Sequence, residues 1–371
     1  MTEFKKQFFF IIFLLFLLPL AGHSVLLKRT GQFISLAEDA EVQGLSSGRL
    51  IITDSDKLTC YNIRLKETIS HDFAPGEKPV SSTNGGFWGI VRKSELNGFG
   101  EEINSVEIFD FRNRRQWSVD GIVEGDTYLS PAGDYLAVIK GIRGRANTEL
   151  FIYHRDSVGI RFYINDCNEF VFSEDGRRFF INSAADGLKM YDYTGRLLSN
   201  YGFQQNCAFS ENSELSACFS QGKLLVINDT AIVSEVEIGE MQMRTMLVSD
   251  SIDRVFCIAG HRLIVVDITN NSIDWDYRLE TATENFLNID ISGDSRFVVL
   301  GLNVNRGMSI PKEERYREGY LYFFNVGGDI MLTEGFSFRK YAPGTPRVAF
   351  WPDGRSIMVQ TFGRIDVVEM R

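Results

Sequence analysis

Short runs in which apolar residues alternate, each closed by a polar residue, recur along the chain. The run apolar–any–apolar–large apolar–polar is written eight times: at 58–62 (LTCYN), 106–110 (VEIFD), 150–154 (LFIYH), 188–192 (LKMYD), 224–228 (LLVIN), 263–267 (LIVVD), 321–325 (LYFFN) and 365–369 (IDVVE). A period of two over so few residues predicts half-buried β-strands. A second phrase precedes most copies: an apolar residue, Ser or a substitute, a polar turn and a new apolar run. Its best copies are 172–179 (FSEDGRRF) and 350–357 (FWPDGRSI). Looser ones stand at 129–136 (LSPAGDYL), 209–216 (FSENSELS), 248–255 (VSDSIDRV) and 291–298 (ISGDSRFV). Asp-Gly, Pro-Asp and Gly-Asp steps supply the dihedrals of tight hairpin turns. The first two units are degenerate, at 45–50 (LSSGRL) and 80–87 (VSSTNGGF).

A repeat of about 35–60 residues built on short strands implies an all-β fold, a single β-propeller of eight four-stranded blades over 25–371. Seven blades is the alternative, should one degenerate unit not form a blade. The last repeat ends after its third strand. The segment 32–36 (QFISL), after Arg29-Thr-Gly31, reads like the close of a blade, as 196–199 (RLLS) does after Thr194-Gly195. The N-terminal strand is therefore expected to complete the C-terminal blade, since an open ring leaves strand edges unpaired.

These phrases resemble the repeats of the WD40-like and TolB-like β-propeller superfamily. In that superfamily a Ser-Pro-Asp-Gly type of turn joins the first two strands of a blade, and an aromatic-Asp pair ends the third. The Gly-His and Trp-Asp pairs of true WD40 repeats are missing at the matching positions, and Trp275-Asp276 falls one strand too late. The resemblance implies a fold and no particular activity, because this architecture hosts enzymes and scaffolds alike.

Other features bear on compartment and partners. Residues 1–24 read as a cleavable signal peptide: Lys5 and Lys6 open it, 8–20 are apolar, and Ala21, Gly22 and Ser24 supply a small-residue cleavage region. No Cys stands near that region, which argues against a lipoprotein. The expectation is a periplasmic or secreted protein with no membrane span once the signal is removed. The net charge of −10 argues against nucleic acid as partner. The five cysteines do not make a disulfide framework. Cys218 and Cys257 occupy matching places on adjacent second strands, and we read them as small core residues in preference to a bridge. His71, His154 and His261 lie far apart, with no metal-binding spacing, so no metal or cofactor is expected.

Candidate binding chemistry lies in insertions. The turns between second and third strands are short in most blades but long in blade 2 (92–102), blade 3 (140–147) and blade 7 (303–319). Strand alternation puts all three on one face of the ring, and ring closure makes blades 7, 8, 1, 2 and 3 a continuous arc. The loops mix cations with aromatic and apolar residues: Arg92, Lys93, Phe99, Arg143, Arg145, Arg306, Met308, Lys312, Arg315, Tyr316 and Arg317. Long loops on rigid scaffolds carry function, and this composition suits a protein interface. The expectation is a non-enzymatic module binding a protein or peptide in the envelope or outside the cell. The alternative is a propeller enzyme acting on a small molecule or sugar, in the manner of lactonases or quinoproteins.

Overall fold

The computed structural model describes residues 27–370, apart from 38–39, 44–48, 55, 63–65, 97–101, 142–147, 156, 165–166, 174, 184–185, 203–205, 211–213, 229–230, 279–283, 305–317, 338–346, 352–353 and 362–363. The leader lies outside the described residues. Strands pair antiparallel into eight separate four-stranded meanders. Blade 1 spans 41–72, blade 2 77–123, blade 3 126–164, blade 4 167–202, blade 5 206–237, blade 6 243–278 and blade 7 284–337. Blade 8 combines 347–370 with the strand Leu27–Ser35. Both degenerate early units are complete blades, which removes the seven-bladed alternative.

The first repeat phrase is the third strand of every blade, and its period explains the ring. Side chains on a strand point alternately to the two faces of the sheet. In each copy the first and third positions face the following blade. Leu58 and Cys60 pack with Trp88 and Ile90 of blade 2, and Leu188 and Met190 pack with Cys218 of blade 5. Ile365 and Val367 pack with Val42 and Leu50 of blade 1, across the closure. The large fourth residue faces the preceding blade: Phe109 joins the cluster between blades 1 and 2, and Tyr153 the one between blades 2 and 3. Each sheet is thus apolar on both faces, and only a neighbour on each side buries it. Eight blades give eight such interfaces and a closed ring.

The fifth, polar position has a separate task. Its side chain turns back on the next hairpin and accepts backbone N–H groups. Asp110 Oδ1 accepts from Arg112 N and Arg114 N at 2.9 Å. Asp192 Oδ1 accepts from Thr194 N and Arg196 N at 3.0 Å, and Asn325 Oδ1 from Asp329 N at 2.9 Å. These are Asx turns, which explains why Asp and Asn dominate the position. Burial raises the Asp110 carboxyl, but the N–H and guanidinium of Arg114 and the N–H of Arg112 together hold it below its usual range.

In blades 3, 4, 5 and 7 the second phrase closes the first two strands in one manner, whereas blade 8 has Trp351 in place of the serine and Ser249 of blade 6 bonds Ser251 instead. The serine is buried and its hydroxyl spans the turn: Arg178 N donates to Ser173 Oγ at 3.0 Å, and Phe297 N to Ser292 Oγ at 3.0 Å. Blade 2 hides the same device. Phe87 N donates to Ser82 Oγ at 3.0 Å, and Ser82 Oγ reaches Asn84 Oδ1 at 2.9 Å, as Ser173 Oγ reaches Asp175 Oδ1 at 2.7 Å. The unit looked degenerate because Asn84 stands where other blades carry Asp, and because Ser81 shifts the apparent register.

First strands run side by side and parallel around the axis. Ser82, just past the first strand of blade 2, bridges to Leu129 in the first strand of blade 3, and Ser210 bridges to Val248. Fourth strands form the rim and expose single apolar side chains such as Tyr163, Leu197, Ile232 and Ile273. The closing strand is longer than expected. It pairs Leu27, Lys28 and Arg29 with Met370, Glu369 and Val368, shifts register, and pairs Phe33, Ile34 and Ser35 with Asp366, Ile365 and Arg364.

The cysteines behave as core residues. Cys218 faces blade 4 and Cys257 faces blade 5, so a whole sheet separates them and the bridge between them is excluded. No cysteine is bridged in this structure.

Candidate binding face

Second-to-third turns and the connections between blades share one end of the ring, because strands alternate in direction within each meander. The long hairpin of blade 2 rises from Phe87–Leu96 and Glu102–Asp110, that of blade 3 from Tyr135–Lys140 and Thr148–His154, and that of blade 7 from Phe297–Val304 and Glu318–Asn325. By contrast, blade 5 turns on Gln221 and Gly222 alone, both at positive φ (49° and 79°), as a tight two-residue hairpin requires.

The structure corrects the placement of two of the sequence-derived candidates. Arg92 and Lys93 were expected in the blade 2 loop, but they lie within its second strand, opposite Ser105 and Asn104. The physical reason is register: the paired stretch extends to Leu96 and Glu102. Phe99, Arg143, Arg145, Arg306, Met308, Lys312, Arg315, Tyr316 and Arg317 lie outside the described residues. Sequence reasoning passed over the connection 338–346 (FRKYAPGTP) between blades 7 and 8, which leaves from the same end. Its length relative to the other connections was the available signal.

Arg92 is committed to a polar cluster at the boundary of blades 1 and 2. Its Nε donates to Glu77 Oε1 at 2.7 Å, and its Nη1 donates to Glu107 Oε2. Glu77 Oε2 also takes Ala74 N at 2.9 Å and contacts His71 Nε2 at 3.2 Å. Arg115 Nη1 reaches Glu107 Oε1 at 3.3 Å. Two carboxylates thus meet two guanidinium groups and one imidazole. The cluster joins the two blades through His71 and Glu77, beside the apolar stack of Trp88 on Phe109, whose ring centroids are 4.6 Å apart.

The Ala74 N–H, partly offset by burial and reinforced by Arg92 and His71, holds the Glu77 carboxyl down at about 2 from a reference of 4.5. A carboxylate depressed on folding stabilises the fold above its unfolded pKa and loses that contribution as pH falls toward its folded one. Glu77→Gln is therefore expected to cost ~1–2 kcal/mol at pH 7, a figure discounted because Arg92 is partly solvated. The gap to the parent should close between about pH 4.5 and 2. Urea unfolding at pH 7, 4 and 2 checks this, and a gap that does not change with pH would refute it.

Among the described residues no group of three or more His, Cys, Asp or Glu side chains is placed to hold a metal ion. His154 packs on Tyr135, with ring centroids 4.7 Å apart. No described helix is long and apolar enough to cross a membrane.

No protein-family model matches the sequence, and no curated protein matches it. Solved structures do match its shape. The C-terminal WD40 domain of Sif2 superposes with a TM-score of 0.60 at 12% identity, covering 93% of this chain and 99% of that one. The chain has a WD40-like β-propeller fold. BamB from Moraxella catarrhalis superposes on this propeller with a TM-score of 0.57 at 13% identity, covering 93% and 100%. The propeller domain of Cps50 (Swd1) from Myceliophteria thermophila gives 0.50 at 11%, covering 91% and 98%. At such identities the likeness concerns the fold alone. The propeller shares its architecture with these proteins, while the turn chemistry and the blade 1–2 cluster are read from its own residues.

Proposed function

We propose that this propeller is an exported, non-enzymatic scaffold that binds a protein or peptide of the cell envelope through the end of the ring bearing the long hairpins of blades 2, 3 and 7. The observation that carries the reading is their placement: the described ends of all three hairpins leave the same end of the ring, within one arc. Export rests on the leader at 1–24, with its basic start and apolar core. The blade 7 hairpin contributes Arg306, Met308, Lys312, Arg315, Tyr316 and Arg317, and the blade 3 hairpin contributes Arg143 and Arg145. Arg, Tyr and Met are the residues enriched at protein interfaces. Arg92 and Lys93 support the base of the blade 2 hairpin, and Phe99 lies between its strands in sequence. A WD40-like ring suits such a task, since a rigid scaffold fixes where its loops emerge.

The test replaces 305–318 with a two-residue turn and compares tagged parent and variant in crosslinking pull-downs from the envelope fraction. The parent is expected to capture a defined protein that the variant loses, with both melting at similar temperatures. Capture unchanged in the variant would remove blade 7 from the site, and no specific capture by the parent would overturn the reading.

A further inference from the structure

Blade 5 carries two cysteines that its pairing sets face to face. Cys207 lies on the first strand, Asn206–Phe209, and Cys218 directly opposite on the second, Leu215–Ser220, in a ladder without a register shift. Their position in the ladder follows from the turn. Ser210 N donates to Leu215 O at 2.9 Å, so that pair is hydrogen-bonded. Antiparallel pairs alternate, which makes Phe209 with Ser216 non-bonded, Ala208 with Ala217 bonded, and Cys207 with Cys218 non-bonded. At non-bonded pairs opposed Cα atoms approach to about 4.5 Å and the side chains converge. Disulfides span Cα separations of about 4.4–6.8 Å. Both side chains also point the same way, into the cluster between blades 4 and 5 with Phe180, Leu188 and Met190. Cys60, Cys167 and Cys257 belong to other interfaces.

We propose that Cys207 and Cys218 are a disulfide site, closed across the first hairpin of blade 5 as the chain folds and before blade 4 packs over it. The order of events follows from burial. In the closed ring burial pushes the Cys218 thiol up to about 12, and burial, with Cys218 and Glu169 adding to it, raises Cys207 well above its ordinary value. Exchange needs a thiolate with access to the oxidant, and in the folded interface Cys218 is fully buried while Cys207, half-buried, has its thiol raised well above the ordinary value. During folding the chemistry is simple. A Cys207 thiolate attacks a low-molecular-weight disulfide such as oxidised glutathione and releases one thiolate. Cys218, deprotonated, then attacks the mixed disulfide at the Cys207 sulfur and releases the second. Two cysteine thiols are oxidised, one external disulfide is reduced to two thiols, and the protons pass between them. The bond would reinforce a hairpin whose turn, 210–215 (SENSEL), lacks the glycine found in the turns of blades 2, 3, 4 and 8.

The test uses the purified full chain, so its outcome does not depend on where the protein resides or what it binds. Reduced, urea-unfolded protein is refolded in reduced and oxidised glutathione, alkylated, digested and mapped by mass spectrometry. The expected product is a linked peptide joining Cys207 to Cys218, with Cys60, Cys167 and Cys257 alkylated after unfolding. The bridged protein should melt about 5 °C above the fully reduced one. Prefolded reduced protein in the same buffer should remain unbridged over the same time. Five alkylated thiols after refolding, or a bridge through any other pair, would overturn the site, and equally fast closure in prefolded protein would overturn its timing. A variant with C60S, C167S and C257S should keep the bridge, and one with C218S should lose it. Should refolding from urea fail, cell-free synthesis in the same glutathione buffer supplies the same peptide map.

Discussion

Removal of residues 25–38 is expected to lower the melting temperature by on the order of 10 °C, because the lost strand closes the whole ring. It pairs through six residues with the last strand of the chain, and its Ile34 is buried with Trp351, Met358 and Ile365 in the cluster facing blade 1. Six lost ladder positions at about 0.5–1.5 kcal/mol each, plus about 2 kcal/mol for uncovering an isoleucine, amount to roughly 5–10 kcal/mol. The effect should not stay local. With blade 8 reduced to three strands, its interface with blade 1 frays, and that interface joins the first and last repeats. Differential scanning calorimetry should show the whole transition moving down together. An unchanged melting temperature would mean that the other seven interfaces suffice without closure.

The second large effect is expected at Gly133, in the first turn of blade 3. It sits at φ +72°, and a Cβ built there would lie 2.5 Å from Cδ1 of Phe87 in blade 2. Its carbonyl accepts the buried indole N–H of Trp117 at 2.7 Å. The turn is therefore pressed against the neighbouring blade and hydrogen-bonded to it. Gly133→Val should cost ~3 kcal/mol, combining ~1–2 for a left-handed β-branched residue with ~1–3 for overpacking. Gly354 is the internal control: it holds the same place in the blade 8 turn at φ +63°, with nothing among the described residues within 4 Å of a Cβ built there. Gly354→Val should cost only the backbone part. Urea midpoints for the two variants separate the contributions, and equal losses would show that contact with Phe87 is unimportant.

Much of this architecture was legible in the chain because each repeat states its packing twice. The alternation at 58–62 and its seven counterparts specifies two apolar faces per sheet, and a sheet with two apolar faces needs two neighbours. The polar residue ending each run announced a turn, and the structure shows why: Asp110, Asp192 and Asn325 cap the hairpins that follow. The spare strand near Phe33 was legible because the last repeat lacked a partner for Ile365. The blade 2 turn was not. Ser82 and Asn84 perform the task of Ser173 and Asp175, but function there depends on a hydroxyl position that a one-residue shift disguises.

The candidate site was legible only as lengths and compositions. Sequence alone made the hairpins of blades 2, 3 and 7 longer than their counterparts and put them on one face, since direction alternates strictly within a meander. It did not reveal how far the strands continue, so Arg92 and Lys93 were assigned to a loop. Pairing across the sheet decided that Arg92 belongs to Glu77 and Glu107, because ladder register depends on residues distant in sequence. The same holds for the cysteines. The chain itself determined the strands and the ring, through local alternation that any neighbour of like pattern satisfies, and left the choice between eight and seven blades to the structure. Only the tertiary structure decided which side chains oppose one another: Cys207 with Cys218 and not Cys218 with Cys257. The opposition is set by the hydrogen-bond ladder within a sheet, while the sheet itself stands between residues that look equivalent in the repeat.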